Sequence, residues 1–457
     1  MATLKSIADL AATLRDGRTT SSALVEDALE RIGAPSGEGK RAFLKVYADK
    51  ARAAARASDV LRSAGLSRSA LEGLPISIKD LFDVAGETTL AGSVVRQGAP
   101  VATADAEVVR RLQAAGAVII GRTNMTEFAY SGLGLNPHYG TPLNPWDRAT
   151  GRIPGGSSSG AAVSVSDGMA VAGIGSDTGG SVRIPSALCG LTGFKPTARR
   201  VSLRGVLPLS AHLDSIGPIA PTVACCAALD AVLSGEFADI PPPFPLRGLR
   251  LLVPRTVVLD HMDAQVAGAF GRALSALSGA GALVQEMPLP AFARLAGINS
   301  KGGFTAAEAW AWHRDMIENS SVRYDPRVVS RILRGKDMSA ADLLDVLQAR
   351  ASWIAEVEAA VFGVDALLMP TVPLVAPSVA ELAASDEAYF RANGLMLRNP
   401  TMINFLDGCA LSIPCHEQGS APVGLMVAGP ALSDRRILSI GRAVEECLRP
   451  VRGLDLK

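Results

Sequence analysis

From residue 74 onward the chain alternates short apolar runs with longer amphipathic stretches, and this restricts it to a layered α/β fold. The runs at 74–78, 117–121, 170–175, 249–253, 283–287, 366–369, 411–414 and 423–427 read as strands. Residues 105–115, 264–277, 302–317, 339–362 and 434–448 read as helices, and helix-compatible sequence resumes after Gly160. The first 70 residues read as helical. Their opening stretch is amphipathic, with charges at Lys5, Asp9, Arg15 and Asp16. Thr20 or Ser21 can cap the next helix, whose apolar face holds Leu24, Ala28 and Ile32. Residues 50–64 are rich in alanine and arginine, which favours helix. Residues 131–160 are rich in Gly, Pro, Asn and Ser and read as loop, and so long a loop inside a compact domain tends to be functional. The proline cluster at 240–245 is the best linker, joining two parts of one domain rather than two domains.

Bulk composition narrows the partners. The chain has 457 residues, 48% of them hydrophobic, enough for a large core. Its 45 lysines and arginines against 44 acidic residues leave a net charge of +1. Nucleic acid or a membrane surface is usually met by a strongly basic face, so neither is expected as a partner. Cys189, Cys225, Cys226, Cys409, Cys415 and Cys447 show no CxxC spacing and read as free, mostly buried thiols in a reducing compartment. No apolar run approaches 18 residues, and the N-terminus lacks the apolar core of a signal peptide. A soluble, cytoplasmic protein is expected.

Three segments carry the chemistry: GLPISIKDLFD (73–83), PGGSSSG (154–160) and GSDTGGSVRIP (175–185). The glycine-rich pair put hydroxyls on freely turning backbone and can aim several N–H groups at one anion. That anion is either a phosphate or a transient oxyanion, and a plain flexible loop is the third reading. A phosphate cradle would need GxxxxGK[ST] or GxGxxG, and neither segment fits.

An oxyanion site needs a nucleophile and a base. Serine supplies the first. His138, His212, His261, His313 and His416 are scattered singly, without metal-ligand spacing, and read as structural. No metal and no cofactor is expected. Lysine can be the base when burial disfavours its charged form and lowers its pKa from about 10.4 toward neutrality. Lys79 ends the apolar run Pro75–Ile78 and suits this role, although taken alone it reads first as a strand-end lysine reaching water.

Together these segments resemble the amidase signature family. GLPISIKDLFDVAGETTLAGS matches its lysine segment, PGGSSSG its glycine–serine block, and GSDTGGSVRIPSALCGLTGFKPT (175–197) its nucleophile segment. Ser157 and Ser181 stand 24 positions apart (181 − 157), as in the family pattern. GRTNMTEFAYS (121–131), NPHYGTPLNPWD (136–147), DALLMPTVP (365–373) and PVGLMVAGP (422–430) match as well. The resemblance spans essentially the whole chain and is most specific over 73–220. It implies a large mixed central sheet covered on both faces by helices. It also implies one amidase domain over 1–457, with a helical part (1–70), a catalytic signature core (71–230) and a pocket-shaping region (300–400).

Carried over by position, Ser181 is the nucleophile that forms an acyl-enzyme. Ser157 is a bridging serine held through a cis peptide, with Gly155 and Gly156 relieving the crowding, and Lys79 is the base. The N–H groups of Thr178, Gly179, Gly180 and Ser181 form the oxyanion hole. Ser158, Asp177 and Arg183 support the turn, and Ser131 with Gly132 lines the substrate channel. Ser159 departs from the glycine common at its position, which leaves the relay intact.

The family includes free-standing amidases and a component of glutamyl-tRNA amidotransferase that works with a partner. That component carries a Ser-Asn-Leu-Ser-Arg-Tyr-Asp-type segment where this chain reads GGFTAAEAWAWHRDMIENS (302–320), so a free-standing hydrolase of a small amide is expected. SGLGLNPHYGTPLNP resembles the indoleacetamide-type hydrolases. Water or another amine clears the ester, and a homodimer is compatible with all of this. Trp310, Trp312, Tyr324, Tyr389 and Phe390 read either as packing aromatics or as partners of an aromatic or apolar acyl group.

Overall fold

The computed structural model describes residues 4–236 and 239–453. Residues 1–3 of the expected first helix lie outside them, and that helix runs Ile7–Arg15 behind a Ser6 cap.

Eleven strands form one sheet: β1 Phe43–Val46, β2 Pro75–Lys79, β3 Val118–Thr123, β4 Ala172–Asp177, β5 Thr192–Lys195, β6 Ser215–Ala220, β7 Arg250–Pro254, β8 Leu283–Met287, β9 Ala366–Pro370, β10 Cys409–Pro414 and β11 Gly424–Gly429. Their order is β1-β3-β2-β4-β6-β5-β10-β11-β9-β7-β8. β2 pairs in parallel with β3 and β4, and β7 with β8 and β9, while the remaining pairs are antiparallel. The sheet is therefore mixed. β1 is a strand within the first 70 residues, which read as helical: Phe43 and its neighbours pair with Gly121–Thr123 at the sheet edge.

Side chains alternate across a strand, so each strand feeds two cores. On β10 and β11, Leu411, Ile413, Leu425 and Val427 join one core, and Ala410, Met426 and Ala428 join the other. Helices Val223–Ser234, Ala264–Gly279 and Asp434–Leu448 cover the first face through Leu229, Phe270 and Ile437. Helices Ala291–Ile298, Ala340–Ala360 and Asp386–Phe405 cover the second through Phe292, Trp353 and Phe405. The 240–245 segment runs along the last helix, where Phe244 N–H donates to Ser439 O at 3.0 Å. The chain beyond it returns to the same sheet as β7–β11.

Among the described residues all six cysteines are free, five of them buried. No described helix is long and apolar enough to cross a membrane.

Candidate active site

The site sits at the carboxyl ends of β2 and β4, where loops leave a sheet and side chains can converge. Every residue of β2 is buried, so Lys79 at its end has no route to water and is 0% exposed. This overturns the reading of Lys79 as a strand-end lysine in solvent. Its Nζ hydrogen-bonds Ser157 Oγ at 2.7 Å and Ser176 Oγ at 2.8 Å. Burial drives its pKa down to about 7, against the opposing pull of the Asp214 and Asp177 carboxylates.

Ser157 is fixed by its backbone. The Gly156–Ser157 peptide is cis. A Cβ on Gly156 would lie 2.5 Å from the Gly134 nitrogen, so only glycine fits this approach. Ser158 N–H donates to Ser181 O at 3.3 Å, and Ser158 Oγ donates to Ser176 O at 3.3 Å. These bonds clamp the glycine–serine loop against the turn that follows β4.

That turn, Thr178–Ser181, is built around Asp177. Its carboxylate accepts from Gly180 N–H at 2.8 Å and Val182 N–H at 3.1 Å. It also accepts from Arg183 Nε at 3.0 Å and Nη2 at 2.9 Å, and from Asn404 Nδ2 at 2.9 Å. It thereby satisfies N–H groups at the start of helix Arg183–Cys189 that the helix itself leaves unpaired. Against the cost of burial, Arg183 with Lys195 and Asn404 holds the Asp177 carboxyl far below the usual carboxylate range. Gly180 has φ of +124° and packs against Pro400 and Ile184, which leaves no room for a side chain.

This geometry corrects the expected oxyanion hole. The Gly180 N–H is taken by Asp177 and is not available to a substrate. The N–H groups of Thr178, Gly179 and Ser181 make no hydrogen bond among the described residues. Gly132, expected with Ser131 along the substrate channel, is not among the residues that line the cleft. Its N–H donates to Asn393 Oδ1 at 2.8 Å and its carbonyl accepts from Gly156 N–H at 2.8 Å, so both groups brace the loop. Ser131 does line the cleft, and its Oγ donates to Asn393 Oδ1 at 2.9 Å.

The cleft holds about 190 Å³, and Ser181, Thr178 and Gly179 are among the residues that line it. The rest of the lining includes Tyr130, Leu397, Phe405, Arg331 and Arg334, and none of the lining side chains is acidic. The two arginines fall three residues apart and so share a helical face. Arg331 stacks on the Tyr130 ring at 4.3 Å and donates to Tyr130 O. Arg334 donates to Ser300 O at 2.7 Å. None of Trp310, Trp312, Tyr324, Tyr389 or Phe390 reaches the cleft. Tyr324 and Tyr389 are buried packing aromatics, and Phe390 points outward at 39% exposure.

Sequence reasoning missed Ser176, Asp214, Asn404 and the arginine pair. Ser176 stands directly before Asp177 in the matched segment, which is a signal. Arg331 and Arg334 lie in a stretch without a motif. The histidines stay apart from the site: His138 bonds Glu127 at 2.8 Å, and His313 bonds Tyr324 at 2.9 Å. Among the described residues, no group of three or more His, Cys, Asp or Glu side chains could hold a metal ion.

The comparisons with known proteins agree with this architecture. The family model described as Amidase matches residues 23–438. The 2-amino-5-chloromuconic acid deaminase of Comamonas testosteroni is 36% identical over 96% of this chain and 95% of its own. The GatA-type component of the glutamyl-tRNA(Gln) amidotransferase of Chloroflexus aggregans is 35% identical over 94% of each chain. A crystal structure of an amidase superposes with a TM-score of 0.87 at 34% identity, covering 97% of this chain and 100% of that one. The chain belongs to the Amidase family. It is an enzyme, a hydrolase of carbon–nitrogen bonds other than peptide bonds.

Proposed function

We propose that this enzyme hydrolyses a small carboxylate-bearing amide through an acyl-enzyme on Ser181. The observation that carries the relay is the buried 2.7 Å contact between Lys79 Nζ and Ser157 Oγ, with Lys79 titrating near pH 7. A lysine neutral at working pH has a lone pair to receive a proton. Ser181 Oγ attacks the amide carbon, its proton passes to Ser157 Oγ, and the Ser157 proton passes to Lys79. The carbonyl oxygen takes the negative charge and faces the open N–H groups of Thr178, Gly179 and Ser181. One such donor is worth about 10²–10³ in rate. The same path returns a proton to the leaving nitrogen, because an amine leaves poorly unprotonated. Water then attacks the ester and regenerates Ser181. The Ser181 hydroxyl has no hydrogen-bond partner among the described residues, which leaves it free to close onto Ser157 as substrate seats.

The substrate class follows from charge. A cleft lined by two guanidinium groups and no carboxylate attracts an anion and repels a cation. The relatives are consistent: one is named for a muconic acid, the other for a glutamyl-tRNA. Six free thiols suit a reducing compartment, and the cytoplasm is the location we assign.

A fluorophosphonate should label Ser181, and Ser181→Ala should abolish both labelling and ammonia or amine release. Parental turnover by Ser181→Ala would overturn the mechanism. Likeness to the glutamyl-tRNA(Gln) amidotransferase component supports a second reading, a glutaminase working with a partner protein. Glutamine hydrolysis appearing only when such a partner is added would favour it.

A further inference from the structure

Antiparallel β4 and β6 end with Asp177 opposite Ser215, so the next residues outward, Thr178 and Asp214, meet across the strand ends. Thr178 opens the turn that faces the cleft. Asp214 closes a loop, 207–214, whose Leu209 and Leu213 form part of the cleft wall. The Asp214 side chain joins the two. One carboxylate oxygen accepts from Thr178 Oγ1 at 2.5 Å. The other accepts from Leu209 N–H at 2.9 Å and Ser210 N–H at 3.0 Å.

The carboxylate is buried, yet no cationic side chain pairs with it among the described residues. Asp177, the other carboxylate acting on Lys79, is matched by Arg183. Asp214 is therefore the uncompensated negative charge in the field of Lys79. On its outer side lie Glu308 of helix Gly303–Ser320, His212, Arg199, Arg350 and Asp407. Glu308 binds Ser210 Oγ and His212 Nδ1 and so keeps the loop in place.

We propose that Asp214 is a positioning residue for amide hydrolysis, tying the oxyanion turn to the pocket wall and setting the charge that Lys79 experiences. The proposal rests on the lysine relay described above. Two functions are separable because two chemistries serve them. The hydrogen bonds hold Thr178 in register with the wall. The charge favours the ammonium that Lys79 becomes when it takes the serine proton. Burial and the neighbouring Glu308 hold Asp214 itself up at about 6, so the acid limb of activity belongs to the Lys79–Asp214 pair rather than to either group.

Asp214→Asn removes the charge and keeps the shape, since the amide can accept from the loop and donate to Thr178. Thr178→Val keeps the charge and cuts the tie. With the full-length chain, the pH profile of kcat/KM is measured on a turned-over amide, with thermal melts confirming that each variant folds. For Asp214→Asn we expect the acid limb to move down by about one pH unit, as loss of a nearby charge dictates. For Thr178→Val we expect kcat on its high-pH plateau, where Asp214 is fully charged, to fall about 10-fold or more. A folded Asp214→Asn with an unmoved limb would overturn the proposal. So would a Thr178→Val variant with parental kcat. Lys79→Met separates this from failure of the relay: if that variant keeps the parental limb and rate, the relay itself is wrong.

Discussion

The two sides of the cleft are built differently. The floor hangs on the ends of β2 and β4, and Lys79, Ser157, Ser176 and Asp177 are buried and interlocked beside the buried, unbonded Ser181 hydroxyl. The wall comes from helices and loops, and Arg331 is half-buried while Arg334 is exposed. Buried polar groups on strand ends have their positions over-determined, because each must satisfy its hydrogen bonds without water. Side chains on a helical wall bear no such constraint. On the proposed mechanism the floor carries the reaction and the wall the choice of substrate, and substitutions should separate the two.

The largest effect falls on the floor. Ser181→Ala should lower kcat by about 10⁴-fold or more, measured as ammonia or amine release. An equal loss from any wall residue would break the distinction. Lys79→Met comes next, with kcat down by about 10²–10⁴-fold. That variant also has a stability signature. In the unfolded chain Lys79 titrates near 10.5 and in the folded one near 7. Between those values the unfolded state binds more protons, so parental stability rises with pH. Lys79→Met should accordingly raise Tm most near pH 7, with the gain shrinking toward pH 10.

Wall substitutions should act on recognition. Arg331→Gln should raise KM for a carboxylate-bearing amide by about 10–100-fold, the loss of one charged hydrogen bond, with kcat little changed. It should leave an uncharged amide unaffected. The smallest effect returns to the floor. Ser176→Ala removes one of two hydrogen bonds to Lys79 while Ser157 keeps the other, so kcat should fall about 5-fold. A loss as large as that of Lys79→Met would make Ser176, rather than Ser157, the relay.

The same contrast explains what the sequence showed. The floor was legible because close backbone packing at Gly156 and Gly180 admits only glycine, and the serines, lysine and aspartate sit at fixed offsets from them. Strands with continuous apolar runs, such as 366–370, were legible too. β5 (TGFK) and β6 (SIGPIA) were not: glycine, lysine and proline blur their pattern, and their burial is imposed by neighbours. Helix Asp386–Phe405 hides behind Gly394 and Pro400. The arginine wall lacks a motif because its charge converges only after Pro326–Leu333 folds as a helix and packs over Tyr130. The availability of oxyanion donors was also hidden, since nothing in the order Asp177-Thr178-Gly179-Gly180 shows that Asp177 takes the Gly180 N–H.

In the proposed relay a neutral, buried Lys79 activates Ser181 through Ser157. Its most direct measurement is the rate of fluorophosphonate modification against pH, with the modified residue located by mass spectrometry. Modification is expected at Ser181, rising through about pH 7 and collapsing in Lys79→Met. A rate independent of pH from 5 to 10, or undiminished modification without Lys79, would contradict it.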